Sequence, residues 1–224
     1  MGVFLDDRPG WPELRWDPAT VAEPLARLHF ARGRLTAAAE ALGVVPFRAT
    51  LSETFVRDAL ATGRIEGERA DEATIRSSVA ARLRLDRAGL PEDTREVDGL
   101  VDMLFDATDR PREPVTVERL HGWHVGLFPD GTSGGRRLVV GDWRDDREGA
   151  IAHLRFLTIH PYEDGNGRIG RALADLLLAR ADGTPRLYSM SSRILAERPG
   201  YYAALERAQR GDLDVTPWLL WFLG

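Results

Sequence analysis

His160-Pro161-Tyr162-Glu163-Asp164-Gly165-Asn166-Gly167-Arg168-Ile169-Gly170-Arg171 is the stretch on which the reading of this chain turns. It lies between two segments whose apolar residues recur at helical spacing, Ile151 to Ile159 and Arg168 to Arg180. A polar, glycine-rich loop is thereby held between packed elements. Gly165 and Gly167 permit backbone conformations that turn successive N–H groups into one concavity. That concavity opens onto a helix N-terminus, where free N–H groups and the helix dipole favour an anion such as phosphate. Arg168 and Arg171 are three apart, so they project from neighbouring positions on one face and add two guanidinium forks. Asp164 offers hard oxygens where Mg2+ shared with phosphate would sit. His160 can take a proton near neutral pH. Nest, arginines, metal ligand and base together describe a phosphoryl- or nucleotidyl-transfer site.

Outward from this loop the chain reads as helices. Val21 to Leu42 carries apolar residues at helical spacing, with Gly33 as an interruption and Gly43 as a stop. Thr50-Leu51-Ser52-Glu53 has the pattern of a capping box and predicts a helix opening there. Further helices are marked by Ile75, Val79 and Leu83, by Val97 to Phe105, and by Val117, Leu120, Trp123 and Leu127. Thr216-Pro217 starts a last short one. Val3 to Trp16, broken by prolines among aromatics, reads as an extended arm. Arg136 to Gly141 is the one convincing strand. The expectation is an all-α chain with at most a short β-hairpin. Its organisation is an N-terminal arm and helix over 1–48 and a catalytic region over 49–224, forming one compact unit.

Composition narrows the function. The 224 residues carry a net charge of −5, against the basic excess expected of a nucleic-acid binder. There are no cysteines, which excludes disulfides, thiolate zinc sites and thiol nucleophiles and fits a reducing compartment. No signal peptide precedes Pro9, and the longest apolar runs are too short to span a bilayer, so a cytoplasmic location is expected. His153, His121 and His124 sit on apolar-faced segments and read as structural hydrogen-bonding groups.

The loop resembles the signature of Fic proteins, His-Pro-Phe-x-Asp/Glu-Gly-Asn-Gly-Arg-x-x-Arg, and departs from it only at Tyr162. The resemblance implies a mostly helical fold that moves AMP from ATP to a Ser, Thr or Tyr hydroxyl of a protein. It implies that His160 deprotonates the hydroxyl and Asp164 holds Mg2+. Asp164, Gly165, Asn166, Gly167, Arg168, Ile169, Gly170 and Arg171 would then bind the nucleotide. Gly167 resembles the AMP-transferring members, because the phosphorylating branch usually carries Lys there. Upstream, Thr62-Gly63-Arg64-Ile65-Glu66-Gly67 is similar to the family's inhibitory motif. Thr62, Glu66 and Gly67 are thereby regulatory candidates on an inhibitory helix spanning 49–68, with Glu66 paired to Arg171 in competition with the γ-phosphate. Trp11 to Asp17, Leu120 to Pro129 and the Tyr201-Tyr202 segment also resemble the subclass with an N-terminal inhibitory helix, which places Tyr201 and Tyr202 near the nucleotide base.

Two departures bear on function. Gly141-Asp142-Trp143-Arg144 is followed almost at once by Ala150-Ile151-Ala152-His153, where family members carry a flap that docks the target as an added strand. The chain also stops at Gly224, where relatives often continue. Three readings follow. The first is an adenylyltransferase using ATP and Mg2+ on an unknown protein, itself included, with reverse removal of AMP open to the same site and a homodimer left open. The second is a catalytically silent ATP-binding regulator. The third, a DNA binder, is disfavoured by charge.

Overall fold

A computed structural model describes residues 4–41, 43–133, 136–137, 152–182 and 187–224. Among these the chain forms ten α-helices and one two-stranded ladder. It divides into two compact units, one made of residues 1–41 with 197–224 and the other of residues 42–196.

The first unit is built on α1 (Pro18–Glu40), α9 (Arg198–Gln209) and α10 (Thr216–Leu223). Asp17 caps α1 by accepting from the Ala19 N–H, and Pro18 occupies the first helical position, where its missing N–H costs nothing. The helix runs through Gly33 without a break, its alanine-rich flanks outweighing the single glycine. The arm holds a 3-10 turn over Leu5–Asp7 and then pairs, Arg15 N donating to Leu213 O and Val215 N to Arg15 O. Leu5 is fully buried. Tyr201, Trp218, Trp221 and Phe222 form an aromatic cluster in this unit, with Tyr201 and Trp218 buried.

The second unit holds α2 (Val44–Ile65), α3 (Glu72–Leu83), α4 (Arg95–Asp109), α5 (Val117–Leu127), α6 (Ala152–Ile159), α7 (Asn166–Asp182) and α8 (Met190–Ala196). α2 opens at Val44, with Gly43 as its cap, and not at Thr50. Thr50 instead sits inside the helix, its hydroxyl donating back to Pro46 O, which is how a Ser/Thr side chain is accommodated within a helix. α4 is the most strongly amphipathic helix, burying Val97, Leu100, Val101, Met103, Leu104 and Ala107. It packs against α5 and α7, and α7 packs in turn on α6. The α4–α5 crossing is close because it is made of glycines. A Cβ on Gly99 would stand 1.8 Å from Gly126 O. Phe55 of α2 stacks on Phe105 of α4 with centroids 3.9 Å apart. Thr132–Ser133 (β1) pairs antiparallel with Arg136–Arg137 (β2), a minimal hairpin. The expected strand begins there, but 138–141 lie outside the described residues, as does the stretch 138–151 on which the shortened flap was read.

Candidate functional site

The motif loop is anchored from behind by its own asparagine. Asn166 is buried, accepts from the Tyr162 N–H at 3.0 Å and donates to Tyr162 O at 2.7 Å, closing a ring around the loop. Tyr162 lies flat against His124, centroids 4.1 Å apart, and its hydroxyl meets His121 Nδ1 at 3.2 Å. Burial pushes the phenol far above its usual range, so it stays a neutral hydrogen-bonding group. His124 Nε2 lies 3.2 Å from Asp164 O. A carbonyl only accepts, so Nε2 carries the proton. Burial also lowers the His124 pKa, which keeps the ring neutral. α5 thus fixes the back of the loop through two histidines. Gly165 has φ +81, and a Cβ there would reach within 2.9 Å of the Phe128 ring, so conformation and space both demand glycine.

His160 ends α6 with its N–H on Phe156 O and a left-handed backbone, φ 50. Its side chain is exposed. Asp164 is partly buried; its Oδ1 accepts from the Gly165 N–H at 2.5 Å and stands 3.9 Å from Arg168 Nη2. α7 begins at Asn166, so Gly167 and Arg168 occupy its first turn, where backbone N–H groups lack intrahelical acceptors. Ile169 and Gly170 are packing positions. Ile169 is fully buried, and a Cβ on Gly170 would press on Leu157 and His153 of α6.

Both arginines are buried, with side-chain exposures of 5% for Arg168 and 1% for Arg171. Each is met by the turn that ends α2. Arg171 donates from Nε to Thr62 Oγ1 at 2.8 Å, and from Nη2 to Thr62 O at 3.2 Å and Glu66 Oε1 at 2.8 Å. Arg168 Nη1 bonds Glu68 Oε1, and its guanidinium lies 4.8 Å from the centroid of Phe128. The turn is a Schellman motif. The Gly67 N–H bonds Arg64 O, the Glu68 N–H bonds Gly63 O, and Gly67 takes φ +84. Burial raises the Glu68 carboxyl above its usual range; Arg168 opposes the shift, and the Glu66 and Asp164 carboxylates add to it. Glu66 also lies against the start of α7, since a Cβ on Gly167 would stand 2.1 Å from its Oε1.

Residues 147–178 match the Fic/DOC family, and residues 4–85 match a domain of unknown function, DUF4172. Protein adenylyltransferase fic-1 from Caenorhabditis briggsae and from Caenorhabditis elegans are each 37% identical over 81 residues. Protein adenylyltransferase Fic from Culex quinquefasciatus is 39% identical over 67 residues. The solved Fic family protein from Desulfovibrio desulfuricans G20 superposes with a TM-score of 0.65 over 97% of this chain and 73% of its own, at 19% identity. Fic-1 (residues 134–508) from Caenorhabditis elegans gives 0.63 over 92% and 68%, also at 19% identity. Residues 147–178 are thus a Fic/DOC family segment, set in a chain that has the fold of solved Fic family proteins.

The sequence matches cover 32% of this chain but 15% of either nematode relative, and 30% against 12% for the mosquito one. At 19% identity the structural likeness speaks for the fold alone, and the fold is all-α as expected. Tyr201 and Tyr202 belong to the other unit. There Tyr201 is buried with its ring 5.1 Å from that of Tyr202, and Tyr202 is exposed with Arg198 5.6 Å from its ring centroid. No cluster of three or more His, Cys, Asp or Glu suited to a metal occurs among the described residues. A single carboxylate such as Asp164 still fits Mg2+, which commonly takes one or two protein carboxylates and completes its shell with phosphate oxygens and water. Among the described residues no helix is long and apolar enough to cross a membrane. Glu68 was not singled out from the sequence. Its place two residues after Glu66 acquires meaning only through the turn at Gly67.

Proposed function

We propose that this protein transfers AMP from ATP to a Ser, Thr or Tyr hydroxyl of a protein target, and that Glu66 holds it inactive. What supports the reading is the pair of buried arginines, Arg168 and Arg171, beside the open first turn of α7. Buried guanidinium groups demand anionic partners, and this pair stands where a polyphosphate would meet helix N–H groups. The curated relatives carry the name protein adenylyltransferase.

The chemistry assigned to the chain is in-line displacement. The target hydroxyl loses its proton to His160, and its oxygen attacks the α-phosphorus. The bond to the bridging oxygen breaks, pyrophosphate leaves and AMP stays on the protein. Gly165, Asn166, Gly167, Arg168 and Arg171 would position the phosphates, the arginines offsetting charge that develops on them. Mg2+ held by Asp164 would supply further neutralisation of the phosphate oxygens. Thr62 and Glu66 occupy Arg171 in the absence of nucleotide and would compete with the γ-phosphate for its fork.

The test is incorporation of α-labelled ATP, with Mg2+, by the wild type, Glu66→Gly, and Glu66→Gly combined with His160→Ala. Label on the Glu66→Gly protein that disappears with His160→Ala is the expected result. ATP binding without label in any variant, with candidate protein targets supplied, would favour the silent regulator instead.

A further inference from the structure

The α2 turn presents two carboxylates, and only one of them belongs to the inhibitory pattern read from the sequence. Glu66 meets Arg171, and Glu68 meets Arg168. The Schellman geometry explains why both reach the same helix. Glu66 is the C-cap, Gly67 reverses the chain in the left-handed region, and Glu68 returns over Gly63, its N–H on the Gly63 carbonyl. A Cβ on Gly63 would lie 3.7 Å from Glu68 Oε2, so the Glu68 side chain packs across the end of α2.

We infer that Glu68 is a second inhibitory carboxylate, occupying the Arg168 fork as Glu66 occupies that of Arg171. This rests on the AMP-transfer reading of the site and deepens it. With Glu66, Glu68 and Asp164 facing Arg168 and Arg171, the cluster carries one formal negative charge. Removing Glu66 brings it to neutral and frees one fork. Removing both glutamates leaves one positive charge and takes the glutamate carboxylates off both forks, the state suited to a polyphosphate. Relief of Glu66 alone is therefore incomplete, because Arg168 stays neutralised by a carboxylate on the same turn.

The test measures Mg-ATP affinity by calorimetry in a His160→Ala background, so that turnover does not distort the constant. Glu66→Gly, Glu68→Ala and Glu68→Gln are made singly, and each Glu68 variant is combined with Glu66→Gly. Glu68→Gln keeps the packing over Gly63 while removing the charge. The expected result is tightening by Glu66→Gly and a further gain of roughly three- to tenfold from either Glu68 change. That range is a charge-assisted bond discounted for the 42% exposure of the Glu68 side chain. An affinity set by residue 66 alone, unchanged by either Glu68 variant, overturns the inference and leaves the AMP-transfer reading standing. Failure of every variant to bind Mg-ATP overturns both.

Discussion

His153 should make this protein lose stability in mild acid, and the size of the loss follows from its burial. The ring is 1% exposed, beneath the motif helix, where a Cβ on Gly170 would lie 3.2 Å from its Nδ1. Burial pushes its pKa down to about 4; a hydrogen bond to the Gly170 backbone opposes the shift and the Arg171 charge adds to it. In the unfolded chain the value returns to roughly 6.5. Between the two, the unfolded state binds the extra proton. Stability from the neutral ring is thus complete above about pH 6.5 and falls as pH drops towards the folded value. Linkage gives a loss of roughly 2 kcal/mol between about pH 7.5 and about pH 5. The comparison is urea unfolding across that range for the wild type and His153→Gln, whose amide keeps a hydrogen-bonding group without a titrating ring. Every other titrating group is common to both proteins and cancels in the difference. The wild type should fall by roughly 2 kcal/mol more than the variant. Parallel pH curves, or a His153 resonance that titrates near 6.5, would refute the argument.

Gly99→Ala should destabilise by about 3 kcal/mol, because its Cβ would stand 1.8 Å from a backbone oxygen that cannot move without separating α4 and α5. Gly122→Ala, with nothing within 4 Å inside α5, is the matched control and should stabilise by about 1 kcal/mol through helix propensity in thermal unfolding. Gly167→Ala should expel the Glu66 carboxylate from Arg171, since its Cβ would sit 2.1 Å from Glu66 Oε1. In wild type this loses a charge-assisted bond of about 1.5–3 kcal/mol against a helix-propensity gain of about 1 kcal/mol. The melting temperature should drop by a few degrees, and in a Glu66→Gly background the drop should vanish; additive effects would contradict the contact.

The parts of the site legible in the sequence were those carried by spacing within one segment. The twelve residues from His160 to Arg171 announce a loop before a helix, and the loop and helix are there. What spacing could not convey was which distant elements meet. Thr50 with Glu53 looks like a helix start, yet Gly43 and the run after it open α2 earlier and bury its far end. Gly99 and Gly126 are both isolated glycines in helical patterns, and nothing in either pattern marks them as a crossing point. Tyr162 departs from the family phenylalanine, and only the fold supplies its hydroxyl with His121. Glu68 falls outside the inhibitory pattern because its reach to Arg168 depends on a reversal at Gly67 that residue type permits but does not require.

Stability and restraint are one interaction in this site. Two guanidinium groups are withdrawn from water on the first turns of α7, and an unpaired buried cation is strongly destabilising. The folded protein without nucleotide therefore needs anions at those positions. The turn after α2 supplies them, and on the proposed function they are the groups a triphosphate would displace. On the proposed function, nucleotide binding would be an exchange of anions, carboxylate for phosphate, with the arginines satisfied before and after. The net gain is the difference between two similar sets of charge-assisted bonds, which is small compared with either set. A modest change at the turn, the loss of one carboxylate, is enough to tip such a balance. On that reading control would lie with the two glutamates that flank Gly67, and not with the buried arginines and Asn166.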